Sequence, residues 1–216
     1  MMRVRIENVV ASASLGVELD LRSIALTLDG AEYEPDRFPG LIYRLRQPKT
    51  AMLLFQSGKV VCTGGKSWRQ VDETLRTVSE LIRRGGQKIP TDPKIQVQNI
   101  VATADLQSEI NLTSVAITLG LDRVEYEPEQ FPGLVCRLKT PRVVVLLFGS
   151  GRLVCTGARR PSDVQLAVQS IKEELQASGL LRRERGQEIP APARTSRRSR
   201  SSTAVSPAKA QSPLVA

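Results

Sequence analysis

Asparagine, threonine and phenylalanine recur in this chain as pairs at a fixed separation. Asn8 and Asn99 lie 91 residues apart, while Thr63 and Thr156, Phe38 and Phe131, and Phe55 and Phe148 each lie 93 apart. An amide and a hydroxyl can both donate hydrogen bonds to acceptors on a ligand. A phenylalanine is a flat apolar wedge. The chain has only four phenylalanines, and all four fall in these pairs. A chain short of aromatics is expected to spend them on its core, so this allocation favours a functional role. Residues for covalent chemistry are missing by contrast. There is no histidine, which excludes Ser-His and Cys-His nucleophile pairs and any histidine metal site. Cys62, Cys136 and Cys155 are odd in number and have no C-x-x-C spacing, which suits a reducing compartment. Gly64-Gly65-Lys66-Ser67 is like the end of a phosphate-binding loop, but Val60 stands where that loop needs its first glycine. It reads as a strand–turn–helix cap. No metal, cofactor or catalytic residue is expected.

The elements that must position these pairs come in two copies. Glu7-Asn8-Val9-Val10-Ala11 returns as Gln98-Asn99-Ile100-Val101-Ala102, and Glu32-Tyr33-Glu34-Pro35 with Phe38-Pro39-Gly40-Leu41 returns as Glu125-Tyr126-Glu127-Pro128 with Phe131-Pro132-Gly133-Leu134. Val61-Cys62-Thr63-Gly64 returns as Val154-Cys155-Thr156-Gly157. Two copies are too few for a solenoid, and the period is too long for one. One body with internal two-fold pseudosymmetry is expected, with repeats at 1–93 and 94–181 and a tail at 182–216.

Each copy reads in the same order. An alternating strand opens it, with Ile6, Asn8, Val10 and Ser12 on one face, and then Val97, Asn99, Val101 and Thr103. A short helix follows, capped by Asp20 or Asn111. Short strands at about 40–46, 50–56 and 59–63, then 133–139, 143–149 and 152–156, are divided by Pro-Gly and Ser-Gly turns. A longer amphipathic helix closes the copy. In the first, Ser67 and Gln70 form a capping box, Val71, Leu75, Val78 and Ile82 the stripe, and Gly85 the stop. In the second, Ser162 caps, Val164, Val168, Ile171 and Leu175 form the stripe, and Gly179 stops it. Strands between helices predict an antiparallel sheet covered on one face. The other face would then carry Val10, Leu53, Phe55 and Val61 with Val101, Leu146, Phe148 and Val154, an apolar strip that marks a binding surface if uncovered.

Charge is unevenly spread. The chain has 31 basic and 22 acidic residues, net +9. From Arg182 onward there are eight basic and two acidic residues, +6, which leaves +3 for residues 1–181. An anionic partner is expected, and the Arg/Ser/Pro/Ala-rich tail is read as disordered and as adding non-specific affinity for such a partner. The N-terminus lacks a long apolar run, so no signal peptide or membrane span is expected.

Taken in order, Asn8-Val9-Val10, Tyr33-Glu34-Pro35, Arg37-Phe38-Pro39-Gly40, Phe55-Gln56-Ser57-Gly58-Lys59 and Cys62-Thr63-Gly64, each with its second-copy partner, resemble the TATA-box binding protein family over about residues 3–181. The resemblance implies an α+β saddle: a ten-stranded curved antiparallel sheet, concave side on double-stranded DNA, with four helices on the convex side. It implies a general transcription initiation factor that grips the TATA-box promoter through the minor groove. Phe38, Phe55, Phe131 and Phe148 resemble the family's intercalating phenylalanines. Minor-groove A·T pairs offer only acceptors, which Asn8, Asn99, Thr63 and Thr156 could meet. Val10, Leu53, Val61, Val101, Leu146 and Val154 would fill the groove and exclude a guanine amino group.

By the same resemblance, Arg37, Arg44, Lys49, Ser57, Lys59, Arg137, Arg142, Ser150 and Arg152 contact phosphates. The acidic second-copy loop with Glu125, Glu127 and Glu129 receives a TFIIB-like factor (TFB), which brings RNA polymerase. The free protein is expected to form a weak homodimer. Asp36 stands where eukaryotic members usually carry lysine. The short N-terminus favours an archaeal, hence cytoplasmic, protein, with the nucleus implied for a eukaryotic one. A nuclease or glycosylase on the same fold would need a carboxylate cluster or catalytic lysine on the DNA side. A pure protein scaffold would not need the paired Asn, Thr and Phe.

Overall fold

The computed structural model describes residues 3–120 and 122–181; the tail from Arg182, with its expected disorder and DNA affinity, lies outside the described residues. Its element order is β1 (Arg5–Ser14), α1 (Leu21–Thr27), β2 (Gly40–Leu45), β3 (Thr50–Phe55), β4 (Lys59–Gly65), α2 (Trp68–Arg84), β5 (Ile95–Asp105), α3 (Leu112–Leu119), β6 (Val124–Glu125), β7 (Gly133–Leu138), β8 (Val143–Phe148), β9 (Arg152–Ala158) and α4 (Pro161–Ala177). The strands form one antiparallel sheet in the order β2-β3-β4-β1-β5-β9-β8-β7-β6. Each copy contributes a meander, and the two meet where β1 pairs with β5. Among the described residues nine strands form rather than ten. The first-copy counterpart of β6 is reduced to one bridge, Glu32 with Ile42.

Strand alternation sorts the sheet into two faces. Val9, Ala11, Ala13, Met52, Leu54, Val60 and Cys62 are buried with the stripe of α2. Ile100, Ala102, Ala104, Val145, Leu147, Leu153 and Cys155 are buried with the stripe of α4. All eight predicted stripe residues of the two long helices are at most 2% exposed. Each contributes about 1.5–3 kcal/mol of transfer free energy as an upper estimate. All four helices therefore cover one face of the sheet, over two cores, one per copy. Side chains of the opposite parity, from Val10 to Phe148, stay half-exposed.

Two bulges correct the expected alternation. The β1–β5 register slips between Ile6 and Asn8 and again between Val10 and Ala11, so Ile6 pairs with Ala102 and Val97 with Ala11, both buried. Ile6 and Val97 accordingly pack against both cores instead of sharing a face with Asn8 and Asn99. A bulge adds one residue to one strand and so flips the inside–outside phase on either side of it. Ordinary period-two reading cannot anticipate that.

The helix ends are mostly as expected. The Asp20 carboxylate accepts from the N–H groups of Arg22 and Ser23 at 3.1 Å, and Asn111 accepts from Ser114 N–H at 3.0 Å. Ser67 accepts from Gln70 N–H at 3.3 Å, and Gln70 reaches back to Lys66 N–H at 2.7 Å, one residue before the cap. Gly85 is the C-cap of α2, but the chain reverses at Gly86, with φ 89°. At α4 the expected Ser162 cap is overturned. The cap residue is Arg160, with no side-chain bond, and Pro161 opens the helix. Proline is pre-set for that first position, because its φ is already helical and its missing N–H would have had no partner there. Among the described residues no helix is long and apolar enough to cross a membrane.

Candidate nucleic-acid interface

The uncovered face is built around two asparagines. Asn8 on β1 lies opposite Val101 on β5, and Asn99 lies opposite Val10. Asn8 Oδ1 accepts from Gly64 N–H at 2.8 Å, and Asn99 Oδ1 accepts from Gly157 N–H at 2.7 Å. The oxygen is thereby committed inward to the sheet and the amide nitrogen must point away from it. Each nitrogen donates one N–H to the neighbouring threonine hydroxyl, at 3.4 Å to Thr63 Oγ1 and 3.3 Å to Thr156 Oγ1, and keeps a second N–H. Gly64 and Gly157 can present their N–H groups because they hold φ at 92° and 93°, a backbone conformation that only glycine adopts without strain. The result is two oriented donors at the centre of an apolar field, each backed by a hydroxyl.

That field runs outward in rows. Leu53 on β3 sits between Ile42 and Val61, and Leu146 on β8 between Val135 and Val154. Ala51 and Val144 lie in the next row, beside Thr63 and Thr156. Ile42, Val135, Ala51 and Val144 extend the surface beyond the residues that the sequence singled out, while Ser12 and Thr103, expected from strand alternation, join it opposite Val61 and Val154. A period-two count from Leu53 and Leu146 reaches Ala51 and Val144. Ile42 and Val135 become visible only once the strand register is known.

At either end of the sheet two phenylalanines meet edge to face. Phe38 and Phe55 have ring centroids 5.8 Å apart at 65°, and Phe131 and Phe148 5.9 Å apart at 67°. Phe55 and Phe148 end β3 and β8, while Phe38 and Phe131 precede β2 and β7. The glycine of each Phe-Pro-Gly run makes the meeting feasible. A Cβ on Gly40 would lie 2.7 Å from Phe38 Cε1 and 3.0 Å from Phe55 Cε1, and Gly133 repeats this with Phe131 and Phe148. Phe131 is 38% exposed.

Residues 3–84 and 94–178 match the family described as transcription factor TFIID, or TATA-binding protein. This chain belongs to the TATA-binding protein family. It is 57% identical over 179 residues to a TATA-box-binding protein of Thermoplasma acidophilum, covering 83% of this chain and 97% of that one. It is 56% identical over 178 residues to TATA-box-binding protein E of Halobacterium salinarum, covering 82% and 96%. Among solved structures it resembles the TATA-binding protein of Methanococcus jannaschii, with a TM-score of 0.75, 45% identity, and coverage of 81% and 99%. The fold is the saddle of this family, a transcription-factor fold.

In this family member the basic residues expected at the rim divide into two groups. Arg37 pairs with Glu34 at 2.9 Å, Arg44 with Glu32 at 2.9 Å, Arg137 with Glu125 at 3.1 Å, and Arg152 lies 4.0 Å from Asp105. The bonds with Glu125 raise the Arg137 pKa. Lys49, Lys59 and Arg142 have no ion pair among the described residues; Lys49 and Arg142 immediately precede β3 and β8, and Lys59 opens β4. Exposed pairs of this kind are worth about 0–1 kcal/mol, so they hold these guanidinium groups only weakly. Ser57 and Ser150 are exposed in the three-residue connections that follow Phe55 and Phe148. In the acidic loop Glu127 and Glu129 are exposed, whereas Glu125 is engaged by Arg137. The cysteines are fully covered, and burial pushes Cys62 and Cys155 up to about 11 and raises Cys136. At neutral pH they are buried thiols.

Proposed function

We propose that this chain initiates transcription by binding TATA-box DNA through the open face of its sheet, in the minor groove, and bending it. The observation that carries this reading is the combination of two fixed amide donors with an apolar field on an uncovered sheet. A·T pairs present only acceptors in the minor groove, and G·C pairs add an amino group that Val10, Val101 and their neighbours would leave unpaired. The rings of Phe38, Phe55, Phe131 and Phe148 wedge into base steps at the two ends. The general cost of such unstacking, roughly a few kcal/mol per step, is itself drawn from this family among other minor-groove binders. Arg37, Arg44, Lys49, Ser57, Lys59, Arg137, Arg142, Ser150 and Arg152 hold phosphates alongside. Glu127 and Glu129, with Glu125 supporting them, offer TFB an anionic loop, and TFB brings the polymerase. The chain acts by binding and not by catalysis.

The deciding experiment uses a TATA-box duplex labelled at both ends with fluorophores, a G·C-substituted control, and the Phe131→Ala and Phe148→Ala proteins. Tight binding that shortens the end-to-end distance on the TATA duplex, and is lost with either substitution, is the expected result. Equal, strongly salt-dependent binding to both duplexes without bending would make this a general DNA coater and end the promoter reading.

A further inference from the structure

The two copies place their central donors alike but differ beside them in a carboxylate. Position 7 of the first bulge is glutamate, and its counterpart in the second copy, position 98, is glutamine. The Glu7 carboxylate stands on the open side of the sheet. It accepts from Thr103 Oγ1 at 3.1 Å, and Thr103 lies opposite Val154 of the apolar field. It also lines the same groove as Asn8, Thr63 and Lys49. Two cations are held on it, Arg5 at 2.9 Å and Lys66 at 3.2 Å. Glu7 is 28% exposed, whereas Arg5 and Lys66 are 67% and 54% exposed, so the cations face solvent and the anion sits beneath them. In the second copy Gln98 instead donates to Ser12 Oγ at 2.8 Å, and Gln96 and Arg159 occupy the positions of Arg5 and Lys66. Arg159 has no ion pair among the described residues.

We infer that Glu7 is an internal competitor for DNA phosphate, which restrains Arg5 and Lys66 and weakens the grip of the first copy beside the central donors. This rests on the DNA-binding reading above and adds a tuning residue to it. A phosphate that engages Lys66 or Arg5 must displace an existing carboxylate, so part of the counterion release that drives binding is already cancelled within the protein. At Arg159 no carboxylate among the described residues opposes the phosphate. Glu7 is a positioning residue by this account, acting through the two cations and not by touching the DNA.

The test compares salt titrations of TATA-duplex binding. Glu7→Gln copies what the second copy already carries. It should tighten binding about tenfold at about 0.05 M salt and steepen the slope of log affinity against log salt by about one to two units. Two further variants separate competition from bulk charge. In a Lys66→Gln background the gain from Glu7→Gln should shrink, and Asp29→Asn, which removes an exposed carboxylate in the turn after α1, should leave the slope unchanged. Gln98→Glu should do the reverse in the second copy, pairing Arg159 and flattening the slope by about one unit; it decides the matter if Glu7→Gln fails to fold. An unchanged slope in both Glu7→Gln and Gln98→Glu, with TATA selectivity intact, overturns the competitor role alone. An equal gain with Lys66 removed, or from Asp29→Asn, overturns it too. Loss of TATA selectivity in the unmodified protein would instead be the failure of the functional reading.

Discussion

At the scale of single residues, this surface depends on orientation more than on residue count. Asn99 is useful because Gly157 N–H holds its oxygen, leaving the nitrogen as the outward group. Asn99→Asp would keep that inward bond and replace the outward donor with an acceptor. Facing a groove of acceptors, it should cost about 1–3 kcal/mol of TATA affinity, roughly tenfold to a hundredfold, with little change in thermal stability; titration of the labelled duplex measures the first and thermal denaturation the second. Gly40 makes the corresponding case for shape. Its missing Cβ is space the two rings already occupy, with Phe38 Cε1 2.7 Å from where it would be. Gly40→Ala should cost about 1–3 kcal/mol by overpacking and reduce bending from that end, read by calorimetry and by fluorophore distance. The asparagine, threonine and phenylalanine pairs are all legible in the sequence, because pairing at a fixed offset is visible without coordinates. The roles of Gly64 and Gly157 as donors to those asparagines are not. They depend on a positive φ and on a contact across strands.

At the scale of elements, local chemistry governs most boundaries. Asp20 caps α1 with two backbone bonds and takes a third, at 2.6 Å, from Ser23 Oγ. The Ser23 bonds hold the Asp20 carboxyl below its ordinary pKa. A carboxyl depressed on folding stabilises the folded state above its unfolded pKa, and that contribution disappears as pH falls through the folded value. Acid titration from about pH 5 to pH 2 should therefore lower the melting temperature of the native chain more than that of Asp20→Asn, measured by circular dichroism. If the two curves run parallel, the cap does not contribute in this way. The start of α4 shows the limit of cap reading. Ser162 is an adequate cap by residue type, but Pro161 and its fixed φ move the start forward. The strand limits read from turns and alternation fall close to the observed ends. The bulges at Glu7 and Gln98 escape that reading, since a bulge is a property of two strands together.

At the scale of the whole molecule, two cores share one sheet. They are joined through the β1–β5 ladder, and Ile6 and Val97 pack against both. A chain linked this way should unfold in one transition. Ile6→Ala should lower that transition by about 1–3 kcal/mol without splitting it; two resolved transitions in scanning calorimetry would show that the halves unfold separately. The pseudosymmetry also governs function at this scale. Under the proposed function, equivalent amide donors and phenylalanine pairs suit the near-equivalence of A·T and T·A in the minor groove, while the acidic second loop and Glu7 make the two halves unlike in charge.

The repeat, the order of elements, the helix stripes and the residue pairs that mark the interface can all be read before any fold is known. Those features are written in spacing and side-chain type, which the chain carries whether folded or not. Other features exist only in the folded sheet: the face that Ile6 and Val97 take, the one-bridge counterpart of β6 at Glu32, and the room that Gly40 and Gly133 leave for paired rings. The position of Glu7 beneath two cations on the open side of the sheet belongs with them. Each of these depends on register between strands distant in sequence, and a shift of one residue in register reverses the face of every side chain beyond it.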